Sequence, residues 1–218
     1  MLIAYWRWLG IRENTIFIFT ADNGPEGVPE GNHSLAPVSA FVGSAGPWRG
    51  TLFTGLEGAL RVPFVIRWPG KIPAGSASDE IVHEMDLFPT FAEIVGGQVP
   101  DDRVIDGVDQ SDFLLGKQEK SNREGFIVYM ATDIFGVKWR NWKLNFSEMD
   151  SALSEKRTYS FLKTHNLHTD PGETESRTVP DSWVSKAGLV QLAEHLESLK
   201  QHPPIPTGTL DPYVPPSN

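Results

Sequence analysis

The chain has 218 residues, 19 basic against 28 acidic, for a formal net charge of −9, and no cysteine. This acidity argues against nucleic acid as a main partner, and the missing cysteine excludes disulfides, thiolate metal sites and a cysteine nucleophile. With 39% hydrophobic and 22% charged residues the composition is that of an ordinary globular protein, and no apolar run approaches membrane-spanning length. The apolar start, Met1 to Asn14, has no basic leader and no small-residue cleavage site, so it does not read as a signal peptide.

Residues 2–9 read as the end of an amphipathic helix with Gly10 as its C-cap. A continuous apolar run, 15–20, follows. It has the β-branched and aromatic texture of a strand buried on both faces, as in a parallel sheet covered by helices. The strand stops at Ala21-Asp22-Asn23-Gly24-Pro25. Ligands of open α/β sheets bind beyond the carboxyl ends of strands. Asp22 and Asn23 there offer one charged and one neutral oxygen, a pair suited to Ca²⁺ or Mg²⁺ rather than Zn²⁺. The same two residues also fit an Asx turn, in which they bond only nearby backbone.

From Pro25 to Gly55 the chain is rich in Gly, Pro, Ser and Ala. His33 and Arg49 are its most chemically capable members, and a stretch this long without periodicity is often functional. A second strand is expected over 64–68, bounded by prolines. Asp86 reads as the N-cap of a helix whose Leu87, Phe88, Phe91, Ile94 and Val95 form a core stripe ended by Gly96-Gly97. A short helix is expected around Ser111–Leu115. After Arg123 the short runs GFIVYMA, DIFGVKW and WKLNF suggest an antiparallel meander. Residues 166–177 read as an acidic turn-rich loop. A closing amphipathic helix follows, with Ser182 as N-cap and Leu189, Leu192, Leu196 and Leu199 on one side, then a proline-rich tail.

Five segments, in order, resemble the sulfatase family of the alkaline-phosphatase-like superfamily. TIFIFTADNGPEG resembles its metal strand; PWRGTLFTGLEGALRVPFVIRWPGKIPAG resembles "RGGK…EGGxRVPxxxRWPG". MDLFPTFAEIVGGQVPDDRVIDGVD resembles "DLxPTxxxxAGxxxPxxxxxDGxD", and WRNWKLNF with NLHTDPGETES resembles the C-terminal "KWKL" strand and "YNLxxDPxE" loop. The resemblance implies an α/β fold with part of a mostly parallel sheet and flanking helices, then a small C-terminal antiparallel sheet packed with a helix. The expected parts are 1–122 for the α/β portion, 123–202 for the sheet and helix, and 203–218 for the tail. It implies metal-dependent hydrolysis of sulfate esters, with Asp22 and Asn23 as ligands of a divalent cation, Ca²⁺ first and Mg²⁺ second. It also implies export to the periplasm or cell exterior, and leaves the oligomeric state open.

Two departures accompany it. The family's formylglycine nucleophile arises from a C/S-x-P-x-R motif, and this chain contains none; Ala heads the near match at 45–49. The chain therefore reads as the C-terminal portion of a sulfatase, inactive alone, with the catalytic nucleophile unknown. The family's sulfate-binding lysine falls on Leu52. Arg49 or His33 is left to supply positive charge to substrate; the alternatives are a loop-holding salt bridge for Arg49 and a solvated side chain for His33. Glu57 and Arg61 are expected to hold backbone, and Trp48, Trp68, Trp139 and Trp142 to pack. A phosphoric or phosphonate ester hydrolase of the same superfamily, and a non-catalytic binding or structural remnant, are the alternative functions.

Overall fold

The structure, a computed structural model, describes residues 6, 8–26, 43–151, 154–206 and 208–209. Gly10 has φ +72, and Ile11 donates its N–H to the Trp6 carbonyl at 3.1 Å. That is the bonding of a helix end closed by a left-handed glycine, as expected. Strand β1 (Phe17–Phe19) pairs with β2 (Val65–Arg67), with Ile18 opposite Ile66.

This pair is antiparallel. A continuous apolar run reports burial but carries no strand direction. The parallel ladder of the larger sheet has no representative among the described residues. Burial on both faces is also not found: Phe19 is 57% exposed and its cross-strand partner Val65 is 54% exposed.

Beyond β1, the described residues of this α/β part include the helices α1 (Glu57–Leu60), α2 (Leu87–Ile94) and α3 (Ser111–Leu114). Helix α2 does not begin on an Asp86 side-chain cap. A 3-10 turn, Glu84–Asp86, precedes it, closed in the manner of a capping box: His83 Nδ1 accepts from the Met85 N–H and the Asp86 carboxylate accepts from the His83 N–H. The Asp86 carboxylate also accepts from the Val108 N–H at 2.8 Å and from the Arg123 guanidinium through both Nε and Nη2. Asp86 and Arg123 are both buried, so this charge-assisted fork fastens the start of α2 to the residue entering the next sheet. The apolar stripe is only partly core: Phe88 and Val95 are exposed, whereas Pro89 and Thr90 are buried.

The meander is present, with one more strand than the sequence suggested. β3 (Gly125–Met130), β4 (Asp133–Trp139), β5 (Trp142–Glu148) and β6 (Arg157–Asn166) lie antiparallel in that order. The periodicity of β6 is hidden because its register jumps: Asn145 faces Lys163, yet Ser147 faces Thr158. Helix α4 (Ser182–Gln201) covers one face of the sheet. Val137, Leu144 and Val184 form the core there, with Ile127, Trp139, Trp142, Phe146, Leu162 and Leu192 around them. The buried positions of α4, Val184 and Gly188, continue to Leu192 at four-residue spacing. Leu189 and Leu196 lie outside that stripe and are exposed. Asp181, not Ser182, holds the N-cap position, and its carboxylate is taken by Arg177.

Leu144 is fully buried between the sheet and α4. Leu144→Ala should lower the unfolding free energy by about 2–5 kcal/mol, read from urea denaturation followed by tryptophan fluorescence.

Candidate functional site

The site is built from the end of β1. Asp22, three residues past the strand, is exposed, and Asn23 is half-buried. Among the described residues no backbone N–H donates to the side-chain oxygen of either. The Asx-turn alternative is therefore not what holds them. Asn23 instead donates its Nδ2 to the Gly24 carbonyl at 2.7 Å, which leaves its Oδ1 available. The side chains thus retain one charged and one neutral oxygen, the donor chemistry of a hard divalent cation. They supply only part of the six or more ligands such a cation takes, and no further cluster of three potential ligands occurs among the described residues.

What positions them is backbone contact. Gly24 donates its N–H to the Ala59 carbonyl at 2.9 Å, and a Cβ on Gly24 would stand 1.8 Å from the Gly58 carbonyl oxygen. Gly58 in turn donates to the Arg49 carbonyl at 2.7 Å, and a Cβ there would stand 2.3 Å from the Gly50 oxygen. Only hydrogen fits at either place. Two glycines therefore let the loop of Asp22 and Asn23 lie directly on α1, and α1 on the segment carrying Arg49.

Helix α1 is itself clamped by charge. Lys138 and Lys143 stand opposite each other on β4 and β5, on the sheet face away from the apolar core. Two like charges so placed repel. Glu57, buried, reaches between them: its Oε2 accepts from Lys138 Nζ at 3.0 Å and from Arg61 Nε at 2.7 Å. Glu173 completes the cluster, accepting from the Glu57 N–H at 2.7 Å and from Asn145 Nδ2 at 2.9 Å. Lys143 Nζ lies 3.2 Å from Glu173 Oε1 and 3.6 Å from Glu57 Oε1 without hydrogen-bond alignment to either. Its attachment is an ion pair and not a directed bond. Burial alone would raise the Glu57 pKa, but Lys143, Lys138 and Arg61 outweigh it and hold the group at about 2. Burial draws Lys138 down to about 8 against the pull of Glu57.

The other expected residues fall as follows. Arg49 donates Nε to the Gly172 carbonyl at 2.8 Å and Nη2 to the Glu173 carbonyl and Glu148 carboxylate at 3.0 and 3.2 Å. Its Nε and Nη2 hold Glu148 and the loop that presents Glu173, which is the loop-holding role of the two expected for it. His33 lies outside the described residues. Arg61 lies over the Trp48 ring at 3.7 Å and pairs with Glu57, a holding role as expected. Trp139 and Trp142 pack edge-on against Trp183. Leu52 donates its N–H to the Pro25 carbonyl at 2.9 Å, which puts its turn against the loop of Asp22 and Asn23. Sequence reasoning missed Lys138, Lys143 and Glu173. The available signal was a charged residue adjoining Val137 and Leu144 in strands whose both faces are covered.

Comparison with known proteins places this arrangement. The family model described as Sulfatase matches residues 1–97. The one described as "N-sulphoglucosamine sulphohydrolase, C-terminal" matches 54–201. The chain is 36% identical over 131 residues to a steryl-sulfatase of Homo sapiens, covering 60% of this chain and 22% of that protein. It is 41% identical over 149 residues to an N-acetylgalactosamine-6-sulfatase of Canis lupus familiaris, covering 68% and 27%. Among solved structures it resembles the PsFucS1 sulfatase of a Pseudoalteromonas species, with TM-score 0.82 and 27% identity over 94% of this chain and 41% of that one. The chain thus spans about a quarter of the length of such curated relatives.

The pKa of Glu57 lies below its unfolded value of 4.5. Its contribution to stability is present above about 4.5 and is lost as the pH falls toward 2. Asp86, with its pKa lowered by Arg123 against the opposing effect of burial, contributes in the same direction. Urea midpoints should therefore drop on acidification from pH 5 to about 3. Glu57→Gln should make that drop shallower. At pH 7 it should cost about 3–5 kcal/mol, because two buried lysines lose their shared counter-charge.

Proposed function

Because the chain belongs to the sulfatase family, we propose that it contributes part of a divalent-cation site, and the support behind it, to a metal-dependent sulfuric ester hydrolase. The observation that carries this reading is the pair Asp22 and Asn23 beyond β1, with side-chain oxygens that accept from no donor among the described residues and a backbone fixed by Gly24 on α1. Asp22 brings a full negative charge and Asn23 a neutral dipole. Gly24 and Ala59 keep both in place without spending those oxygens. When bound, the cation, Ca²⁺ by preference, offsets negative charge developing on the ester oxygens.

The nucleophile is not among these residues. The chain has no cysteine and no serine in the S-x-P-x-R pattern, so turnover by this chain alone is not expected. Export to the periplasm or cell exterior is part of the same proposal. No helix among the described residues is long and apolar enough to cross a membrane. The names of the relatives span sterol and sugar esters, which supports sulfate-ester chemistry in general over any one alcohol. The pair Asp22 and Asn23 would serve a phosphate as well as a sulfate, and Leu52 brings no cation specific to either, which keeps a second reading: a phosphoric ester hydrolase of the same superfamily. Rates on the sulfate and phosphate monoesters of one phenol separate the two.

Terbium luminescence sensitised by tryptophan should report a cation site in this chain that calcium displaces. Asp22→Ala should abolish it while leaving the urea midpoint unchanged. In an enzyme joining this chain to a sulfatase region that carries the nucleophile motif, Asp22→Ala should lower sulfate-ester hydrolysis on the order of 100-fold or more. Full activity in that variant would remove Asp22 from the metal site.

A further inference from the structure

The turn at Thr51–Thr54 is held more firmly than a surface loop requires. Thr54 donates its N–H and its hydroxyl to the Thr51 carbonyl, at 3.0 and 2.7 Å. Leu52 donates to Pro25, and the Thr54 carbonyl accepts from the Met149 N–H at 3.3 Å, at the far end of β5. Within this frame Phe53 has φ +68 and is 51% exposed. A left-handed backbone is unfavourable for a bulky aromatic side chain, and exposure forfeits the burial that would offset it. Strain of this kind persists where the surroundings impose it, and it clusters at ligand sites. Here the surroundings are the loop of Asp22 and Asn23, to which the turn is bonded three residues from Asp22. The two residues at its tip, Leu52 and Phe53, are both apolar.

We propose that the Leu52–Phe53 turn recognises the ester's leaving group by an apolar ring face rather than by charge, and that Phe53 determines specificity. The alcohol it fits is one with a flat hydrophobic face, in preference to a charged or heavily hydroxylated one. This inference rests on the sulfate-ester reading of the neighbouring cation site. Phe53 takes no part in bond breaking; it fixes which ester is held beside Asp22 and Asn23. An aromatic side chain at that point binds a ring by stacking or edge contact while presenting no donor to a sugar hydroxyl.

The test uses the full chain with calcium present and two probes, 2-naphthyl sulfate and glucose 6-sulfate, each titrated by fluorescence or calorimetry. Phe53→Asn removes the ring while keeping a residue that tolerates the left-handed backbone, so the variant should fold with an unchanged or raised melting temperature. Phe53→Tyr retains the ring face. The wild type and Phe53→Tyr should bind the naphthyl ester more tightly than the sugar ester, and Phe53→Asn should lose that preference by roughly 3- to 10-fold. Equal preference in the wild type and Phe53→Asn, or no preference in the wild type, overturns the proposal. Hydrolysis by the joined enzyme is read alongside. Naphthyl preference without hydrolysis of either sulfate counts against the sulfate-ester reading alone. Hydrolysis with a preference indifferent to Phe53→Asn counts against Phe53 alone.

Discussion

A buried carboxylate between two buried lysines is the constraint from which the rest of this structure follows. Lys138 and Lys143 face each other across β4 and β5 on the side of the sheet away from its apolar core. Neither could remain charged there without a counter-ion. Glu57 supplies it from α1 and Glu173 from the loop after β6. With Arg61, which also pairs with Glu57, the cluster sets three positive groups against two negative, and desolvating it has a cost that attraction only partly recovers. Its value is positional. An apolar contact tolerates sliding, whereas Glu57 satisfies Lys138, Arg61 and the proximity of Lys143 in one orientation only. The α/β part and the C-terminal sheet are thereby registered to one another. Arg49 and the Asp86–Arg123 fork add two further polar joints at the same boundary.

The pair Asp22 and Asn23, proposed above as cation ligands, inherits that registration. Asp22 and Asn23 have no side-chain scaffold of their own among the described residues. Gly24 rests on Gly58 and Ala59, and these directly follow Glu57 in the chain. A displacement of α1 would be transmitted to Gly24 through a contact too close to absorb it. Residues on the last strands of the chain thus bear on where two oxygens near its beginning stand.

The sequence made the punctuation of the fold legible and its long-range chemistry much less so. Gly10, the prolines around β2 and the aromatic runs of β3 to β5 announced themselves because turn residues and strand periodicity are local signals. Asp22 and Asn23 were legible for the same reason, as polar residues placed just after an apolar run. β6 was not, because its register jump breaks the alternation. The antiparallel pairing of β1 with β2 was not, because direction is set by the partner. Asp86 looked like a helix cap since an Asp before an apolar run is one; its partners Val108 and Arg123 lie 22 and 37 residues away. Glu57, Lys138, Lys143 and Glu173 form one group only after folding, and singly each reads as an ordinary solvated charge. Arg49 was the same kind of case, a cation whose role depended on which anion it met.

The way Gly24 meets Gly58 separates two properties that often change together. The place of the Asp22 and Asn23 oxygens is set by main chain against main chain, in a spot that excludes every side chain. The neighbouring turn at Leu52 and Phe53 is joined to that frame by main chain, through the Leu52 amide on the Pro25 carbonyl, so its own two side chains are not what holds it there. On the proposed reading, lineages of such a protein can exchange the turn's side chains, and with them the choice of alcohol, without moving Asp22 and Asn23. Directed evolution toward new esters would find its productive variation at 52 and 53 and encounter a closed door at 24 and 58.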